Sequence, residues 1–220
     1  MVDNSGRPQN KTLPLSRIMV DYKIHKHGNN EHRYYVPNNI PEMENKPIPL
    51  HPFLLGVLIG DGALTGDTVE ISLGLNKEWV IDSLILPDGI EKKVTWVEEK
   101  NYFRVKLQGK TRKGNSIADI IKAMGLAVKS GDKFIPKQYL YNSIENRSFL
   151  IEGLASTDGY FNSRGLLEYS TISEQLAKDF HGLMLSLGRH VKISLHERNG
   201  NSYSNTPIYR MYERHGYNHG

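Results

Sequence analysis

The chain has 220 residues, no cysteine, 38% apolar residues and a formal net charge of +4. That length supports one large core or two small domains, no stretch is long and apolar enough for a membrane-spanning helix, and the absence of cysteine excludes disulfides and thiolate metal sites. The positive charge suits an anionic partner without identifying one.

The N-terminus, Met1 to Gly6, lacks the apolar core of a signal peptide, so a non-secreted protein is expected, in the cytoplasm and nucleoid or an organelle. Met1 to Asn10 reads as disordered, Arg17 to Ile24 as a strand, and Gly28-Asn29-Asn30 as a turn. Arg33 to Pro37 then enters a proline-rich connector, Pro41 to Pro49.

The segment Leu54-Leu55-Gly56-Val57-Leu58-Ile59-Gly60-Asp61-Gly62 is an apolar helical stretch that ends in Asp-Gly. Glycine at such a stop is expected to take the left-handed backbone. Thr68 to Leu73 alternates as a half-buried strand, and Asn76 to Leu86 reads as a helix stopped by Pro87-Asp88-Gly89. Lys92 to Val97 and Tyr102 to Gln108 form a hairpin around Glu98 to Asn101. In its second strand Arg104, Lys106 and Gln108 point one way, and Phe103, Val105 and Leu107 the other. Ser116 to Gly125 is a helix, and Lys133-Phe134-Ile135-Pro136 opens a short one through Leu140.

The pattern then returns. Ser148 to Asp158 is a helix carrying Ile151-Glu152-Gly153-Leu154-Ala155-Ser156-Thr157-Asp158-Gly159, a second apolar run that ends in Asp-Gly. Leu167 to Thr171 mirrors the Val69 to Ser72 strand, and Ser173 caps a helix to Gly188 with Leu176, Phe180, Leu183, Met184 and Leu187 as its core stripe. Strands follow at His190 to Arg198 and Ile208 to Arg214.

Gly56 and Gly60 share one helix face, as do Gly153 and Thr157. Small residues allow two helices to approach backbone to backbone, so Gly56 and Gly153 are expected at a helix interface. The crossing would set Asp61 and Asp158 side by side, an arrangement tolerated where a divalent metal sits between the carboxylates.

With both motifs in view, the chain resembles the LAGLIDADG homing endonucleases, in the two-motif single-chain form often found inside inteins. The resemblance covers roughly residues 33 to 200; Gly60 and Thr157 depart from the usual letters but stay small. It implies an α+β fold of two pseudosymmetric αββαββ repeats, with motif helices packed together and two antiparallel sheets forming a DNA-binding saddle. The corresponding division is 1–48 as an N-terminal extension and linker, 49–145 as the first repeat and 146–220 as the second. It also implies a site-specific endonuclease that makes double-strand breaks at a long recognition site in intron or intein homing, acting as a monomer on double-stranded DNA with no membrane partner. In these terms Asp61 and Asp158 bind Mg²⁺ (or Mn²⁺), with Gly60 and Thr157 beside them at the metal, and Lys133 matches a Lys-x-hydrophobic-Pro position near the attacking water. An exposed lysine before a helix would look the same.

Strand alternation groups Lys192, Ser194, His196 and Arg198 on one face, and Arg210, Tyr212 and Arg214 on one face of the next strand. A solvated sheet face reads the same way, but with Arg104, Lys106 and Gln108 there are three such strands in matching places of a duplicated unit. That favours a duplex groove, where Arg and Gln read base edges and Lys neutralises phosphate. His25, His27, His32, His181, His215 and His219 fit no common zinc spacing.

Two expectations follow from position. The Asp61-to-Lys133 offset, repeated from Asp158, passes beyond Gly220, so either Lys192 or Arg210 stands in from a strand, without the Lys-x-hydrophobic-Pro context, or the two sites are unequal. Without a cysteine, a Thr-x-x-His block or a terminal His-Asn, self-splicing by this chain alone is not expected. A DNA-binding protein that has lost cleavage and an RNA-binding intron maturase remain open alternatives on the same scaffold.

Overall fold

The computed structural model describes residues 12–26, 29–32, 40–109, 116–197 and 206–214. The chain forms two compact units, Met1–Asn39 and Ile40–Gly220. In the first, helix α1 (Leu15–Asp21) precedes strands β1 (Lys23–Lys26) and β2 (Asn29–His32), which pair antiparallel with Lys23 opposite His32. This corrects the strand expected over Arg17 to Ile24. Ile18, Val20 and Tyr22 fit a period of two, but Leu15, Ile18 and Met19 also fit a helix, and Pro14 ahead of them favours its start. Asn29 and Asn30, expected in a turn, begin β2. The expected disorder of Met1 to Asn10 and the Arg33 to Pro37 segment lie outside the described residues.

The second unit is one architecture written twice. Its first half runs α2 (Pro52–Asp61), β3 (Gly62–Ala63), β4 (Val69–Gly74), α3 (Glu78–Asp82), β5 (Ile90–Val97) and β6 (Tyr102–Gly109). After the connecting helices α4 (Ile117–Ala123) and α5 (Lys137–Leu140), the second half runs α6 (Ile144–Asp158), β7 (Gly159–Phe161), β8 (Leu167–Thr171), α7 (Glu174–Ser186), β9 (His190–His196) and β10 (Ile208–Arg214). Both sheets are antiparallel and share one order, β3-β4-β6-β5 and β7-β8-β10-β9. The α+β class and the repeated αββαββ order therefore stand.

Register aligns the two copies residue by residue. Ile71 sits between Gly62 and Val105 as Tyr169 sits between Gly159 and Met211. Arg104 faces Ser72 and Thr95 as Arg210 faces Ser170 and Ser194, and Lys93 corresponds to Lys192.

Helix α2 is apolar all round because it is enclosed on all sides, by α6 and by its own sheet. The contact with α6 is at backbone distance. A Cβ on Gly56 would lie 2.5 Å from the Leu150 carbonyl oxygen, and one on Gly153 would lie 2.2 Å from that of Phe53. Helix α6 begins at Ile144 rather than at Ser148, because the Ser143 hydroxyl caps it by accepting from the Asn146 N–H. The extra turn carries Arg147, whose fully buried guanidinium donates to the carbonyls of Asn142, Ser186 and Pro41. Helix α3 is shorter than expected; Leu75–Lys77 forms a 3₁₀ turn ahead of it and the helix ends at Asp82.

Two buried tyrosines differ in what they bond. The Tyr139 hydroxyl donates to the Leu50 carbonyl at 2.9 Å and accepts from its N–H at 3.0 Å, while the Tyr169 hydroxyl has no hydrogen-bond partner among the described residues. Tyr139→Phe orphans two buried backbone groups and is expected to cost about 1–3 kcal/mol, whereas Tyr169→Phe keeps the ring stacked 4.3 Å from Phe180 and should be neutral or stabilising. Parallel urea denaturation of the two variants checks this.

Candidate metal centre and nucleic-acid interface

The centre is built where α2 and α6 end. Asp61 closes α2 and Asp158 closes α6, and each is followed at once by a strand. Gly62 and Gly159 are therefore extended (φ −82° and −91°), not left-handed as expected. They are glycines for lack of room: a Cβ would lie 2.3 Å from the Leu58 carbonyl oxygen at Gly62 and 2.4 Å from that of Ala155 at Gly159. The immediate turn into a strand fixes both carboxylates at the joint between helix and sheet.

The two carboxylates are electrostatically coupled. Enclosing protein and then the negative charge of Asp61 push the Asp158 carboxyl from 3.8 up to about 6, with Lys133 and Lys77 pulling it back. Burial likewise raises Asp61, against Lys77 and Lys133. The folded chain thus holds a proton at Asp158 that the unfolded chain releases near pH 4. The unfolded state binds fewer protons across that window, so metal-free stability should fall as pH rises from about 4 to about 6 and then level. Thermal melts in EDTA across that range should show this slope, and Asp158→Asn should flatten it.

Two ammonium groups face the acids. Lys133 is only 4% exposed and donates to the Gly60 carbonyl at 3.0 Å and the Gly62 carbonyl at 2.9 Å. The second half aims it: the Ser173 hydroxyl donates to the Lys133 carbonyl, and the Ile135 N–H donates to Asp179. Burial lowers its pKa, partly offset by Asp158 and Asp61. Lys77, at the end of the 3₁₀ turn after β4, donates to the Thr157 carbonyl and lies 3.6 Å from Asp61 Oδ2. Sequence reasoning missed it, because it lies in no motif and its role appears only once β4 has been placed beside the helix ends. Beyond Lys133, on which the expectation of unequal sites was built, the structure places a second lysine, Lys77, on the Thr157 carbonyl.

Among the described residues no group of three or more His, Asp or Glu side chains could hold a metal. His25 and His32 lie in the β1–β2 hairpin, His181 lies on α7, and His27, His215 and His219 lie outside the described residues. The donor set at the helix ends is two carboxylates and two main-chain carbonyls, all hard oxygens, with both acids raised by burial. That chemistry fits Mg²⁺ or Mn²⁺. A cleft of ≈ 330 Å³ opens beside Asp158, Lys133 and Gly60, with Ser130, Ser170 and Thr171 on its wall.

The sheets turn their non-core faces outward. On the first, Lys106 pairs with Glu70 at 2.9 Å, Arg104 bonds the Tyr102 hydroxyl at 3.0 Å and lies 3.7 Å from Glu70, and Gln108 bonds Glu91 at 2.8 Å. On the second, Lys192 lies opposite Tyr212, Ser194 opposite Arg210, and Arg214 opposite His190, while the His196 ring faces the Tyr212 hydroxyl at 3.4 Å. Arg198 lies outside the described residues. Register adds Lys93, Thr95, Ser72 and Ser170 to these faces, none of which sequence reasoning singles out. No described helix is long and apolar enough to cross a membrane.

Residues 145–216 match the LAGLIDADG-like domain. The chain is similar to the replicative DNA helicase DnaB of Synechocystis sp. (strain ATCC 27184 / PCC 6803 / Kazusa), 28% identical over 171 residues, which is 69% of this chain and 19% of that protein. It is also similar to the replicative DNA helicase DnaB of Mycobacterium intracellulare, 33% identical over 81 residues, 37% of this chain and 14% of that one. The chain thus spans a fifth or less of the length of these curated relatives. Similar solved structures include mesophilic variants of the homing endonuclease I-DmoI (TM-score 0.48, 14% identity, 74% of this chain and 82% of that chain). Another is I-DmoI in complex with DNA and Mn (TM-score 0.48, 15% identity, 74% and 88%).

Proposed function

We propose that this chain, whose residues 145–216 match the LAGLIDADG-like domain, is a site-specific endonuclease of that type that hydrolyses phosphodiester bonds in both strands of a DNA duplex. The observation that carries the reading is the pair of motif aspartates, held at two crossing helix ends and raised together by burial. Asp61, Asp158 and the carbonyls of Gly60 and Thr157 would hold the divalent ion. Bound there, such an ion supplies charge stabilisation and lowers the pKa of water. Lys133 holds its amine beside the acids, whose negative charge favours its protonated form against burial, and is placed to meet the charge that builds on a phosphate under attack. The outward sheet faces bind the duplex, with Arg104 and Arg210 in equivalent places and the backbone neutralised by Lys106 and Lys192.

The helicase relatives bear on the substrate. This chain lacks the G-x-x-x-x-G-K-[ST] loop of a nucleotide-driven motor, so the matched part of those proteins is read as an endonuclease carried within them, intein-associated. Its target is then a helicase gene without that segment. Incubation of such a locus with the chain and Mg²⁺, compared with EDTA, tests this. Cutting only in Mg²⁺ supports the reading. Binding without cutting supports the scaffold as a DNA-binding protein, and preference for RNA supports a maturase.

Lys106 is already paired with Glu70, so Glu70→Gln should raise DNA affinity. Lys192→Ala should lower the slope of log affinity against log salt by about one. Binding isotherms over a salt series measure both.

A further inference from the structure

The oxygens read above as cation ligands already hold an ammonium. Lys77 Nζ lies 3.6 Å from Asp61 Oδ2 and donates to the Thr157 carbonyl. Lys133 Nζ sits on the Gly60 and Gly62 carbonyls. Gly60 and Thr157 hold equivalent places in the two motifs, so the pair of lysines is itself pseudosymmetric. Their attachments are not. Lys133 is 4% exposed, and its stretch of chain is tied to α7 through Ser173 and Asp179. The Lys77 side chain is 32% exposed, on a 3₁₀ turn at the surface. Its ammonium ends a flexible four-carbon stem that can swing into water.

Resting on the metal-dependent reading above, we propose that Lys77 is a displaceable counter-ion. In the metal-free protein its ammonium occupies the cation position between Asp61 and the Thr157 carbonyl, and it leaves when a divalent ion binds. Lys133 stays in place on the Gly60 and Gly62 carbonyls. The Lys77 ammonium stands between the Asp61 carboxylate and the Thr157 carbonyl, where the ion's own ligands would meet, and without any cation the two aspartates repel each other. Lys77 thus steadies the empty centre and competes with the ion that fills it.

The test is Mn²⁺ binding to the full chain without DNA, by titration calorimetry, together with melts in EDTA. Lys77→Met should tighten Mn²⁺ binding about fivefold, the scale of a partly exposed ion pair, while lowering the melting temperature in EDTA. Lys77→Gln serves as the second variant should Lys77→Met not fold. Lys77→Arg should keep the weaker binding. Lys122→Met, which removes a lysine paired with Asp67 away from the centre, controls for net charge. Unchanged or weaker Mn²⁺ binding in both neutral variants, with binding lost in Asp61→Asn, overturns the competition and leaves the endonuclease reading intact. No Mn²⁺ binding to the unmodified chain or to any variant overturns both the proposal and the metal assignment beneath it.

Discussion

Asp61→Asn and Asp158→Asn are each expected to lower double-strand cutting by at least about 10²–10³-fold, the scale on which a lost electrostatic group at a reacting phosphate is felt. DNA affinity should hold or rise, because each change removes a negative charge from the surface proposed to meet phosphate. The substitution keeps the side chain's size and its place at the helix-to-strand joint. Plasmid cleavage and gel-shift titration, run on the same preparations, separate the two effects. Full cutting by either variant would remove that aspartate from the chemistry.

The second large effect is on the fold. Gly153→Ala places a methyl 2.2 Å from the Phe53 carbonyl oxygen, and the groups in the way are backbone. No rotamer relieves that clash, so α2 and α6 must separate. A cost of about 3 kcal/mol or more is expected, at the upper end for overpacking a core. Gly182, on α7, has nothing within 4 Å of the place a methyl would take, and Gly182→Ala should instead stabilise by about 0.5–1 kcal/mol through helix propensity. Urea denaturation of the two variants gives the contrast directly.

These glycines also mark what is legible in the sequence. The small residues four apart, written twice, predict both the crossing of the motif helices and the placing of the two aspartates. Alternation finds β4, β6, β8 and β10 and the outward face of each sheet, because one side of each strand is buried.

What escapes has physical reasons. Strands β3 and β7 are two and three residues long, too short to alternate, so Gly62 and Gly159 read in sequence as helix stops. The start of α6 reads late because its cap is Ser143, with a polar first turn of Glu145, Asn146 and Arg147 ahead of the apolar run. That arginine is buried by carbonyls gathered from distant segments, which no local pattern encodes. Lys77 is the clearest case. Nothing in Gly74-Leu75-Asn76-Lys77 sets it apart from any surface lysine, and only the pairing of β4 with β3 and β6 carries it to the helix ends.

The central claim is that the ends of α2 and α6 form one paired centre that cuts both strands of a duplex. The direct measurement is a cleavage time course on a helicase-gene duplex lacking the matched segment, each strand labelled separately, in Mg²⁺ and in EDTA. Cleavage of both strands in Mg²⁺ and of neither in EDTA is predicted. A duplex that is bound at its site but left intact on both strands in Mg²⁺ would contradict it.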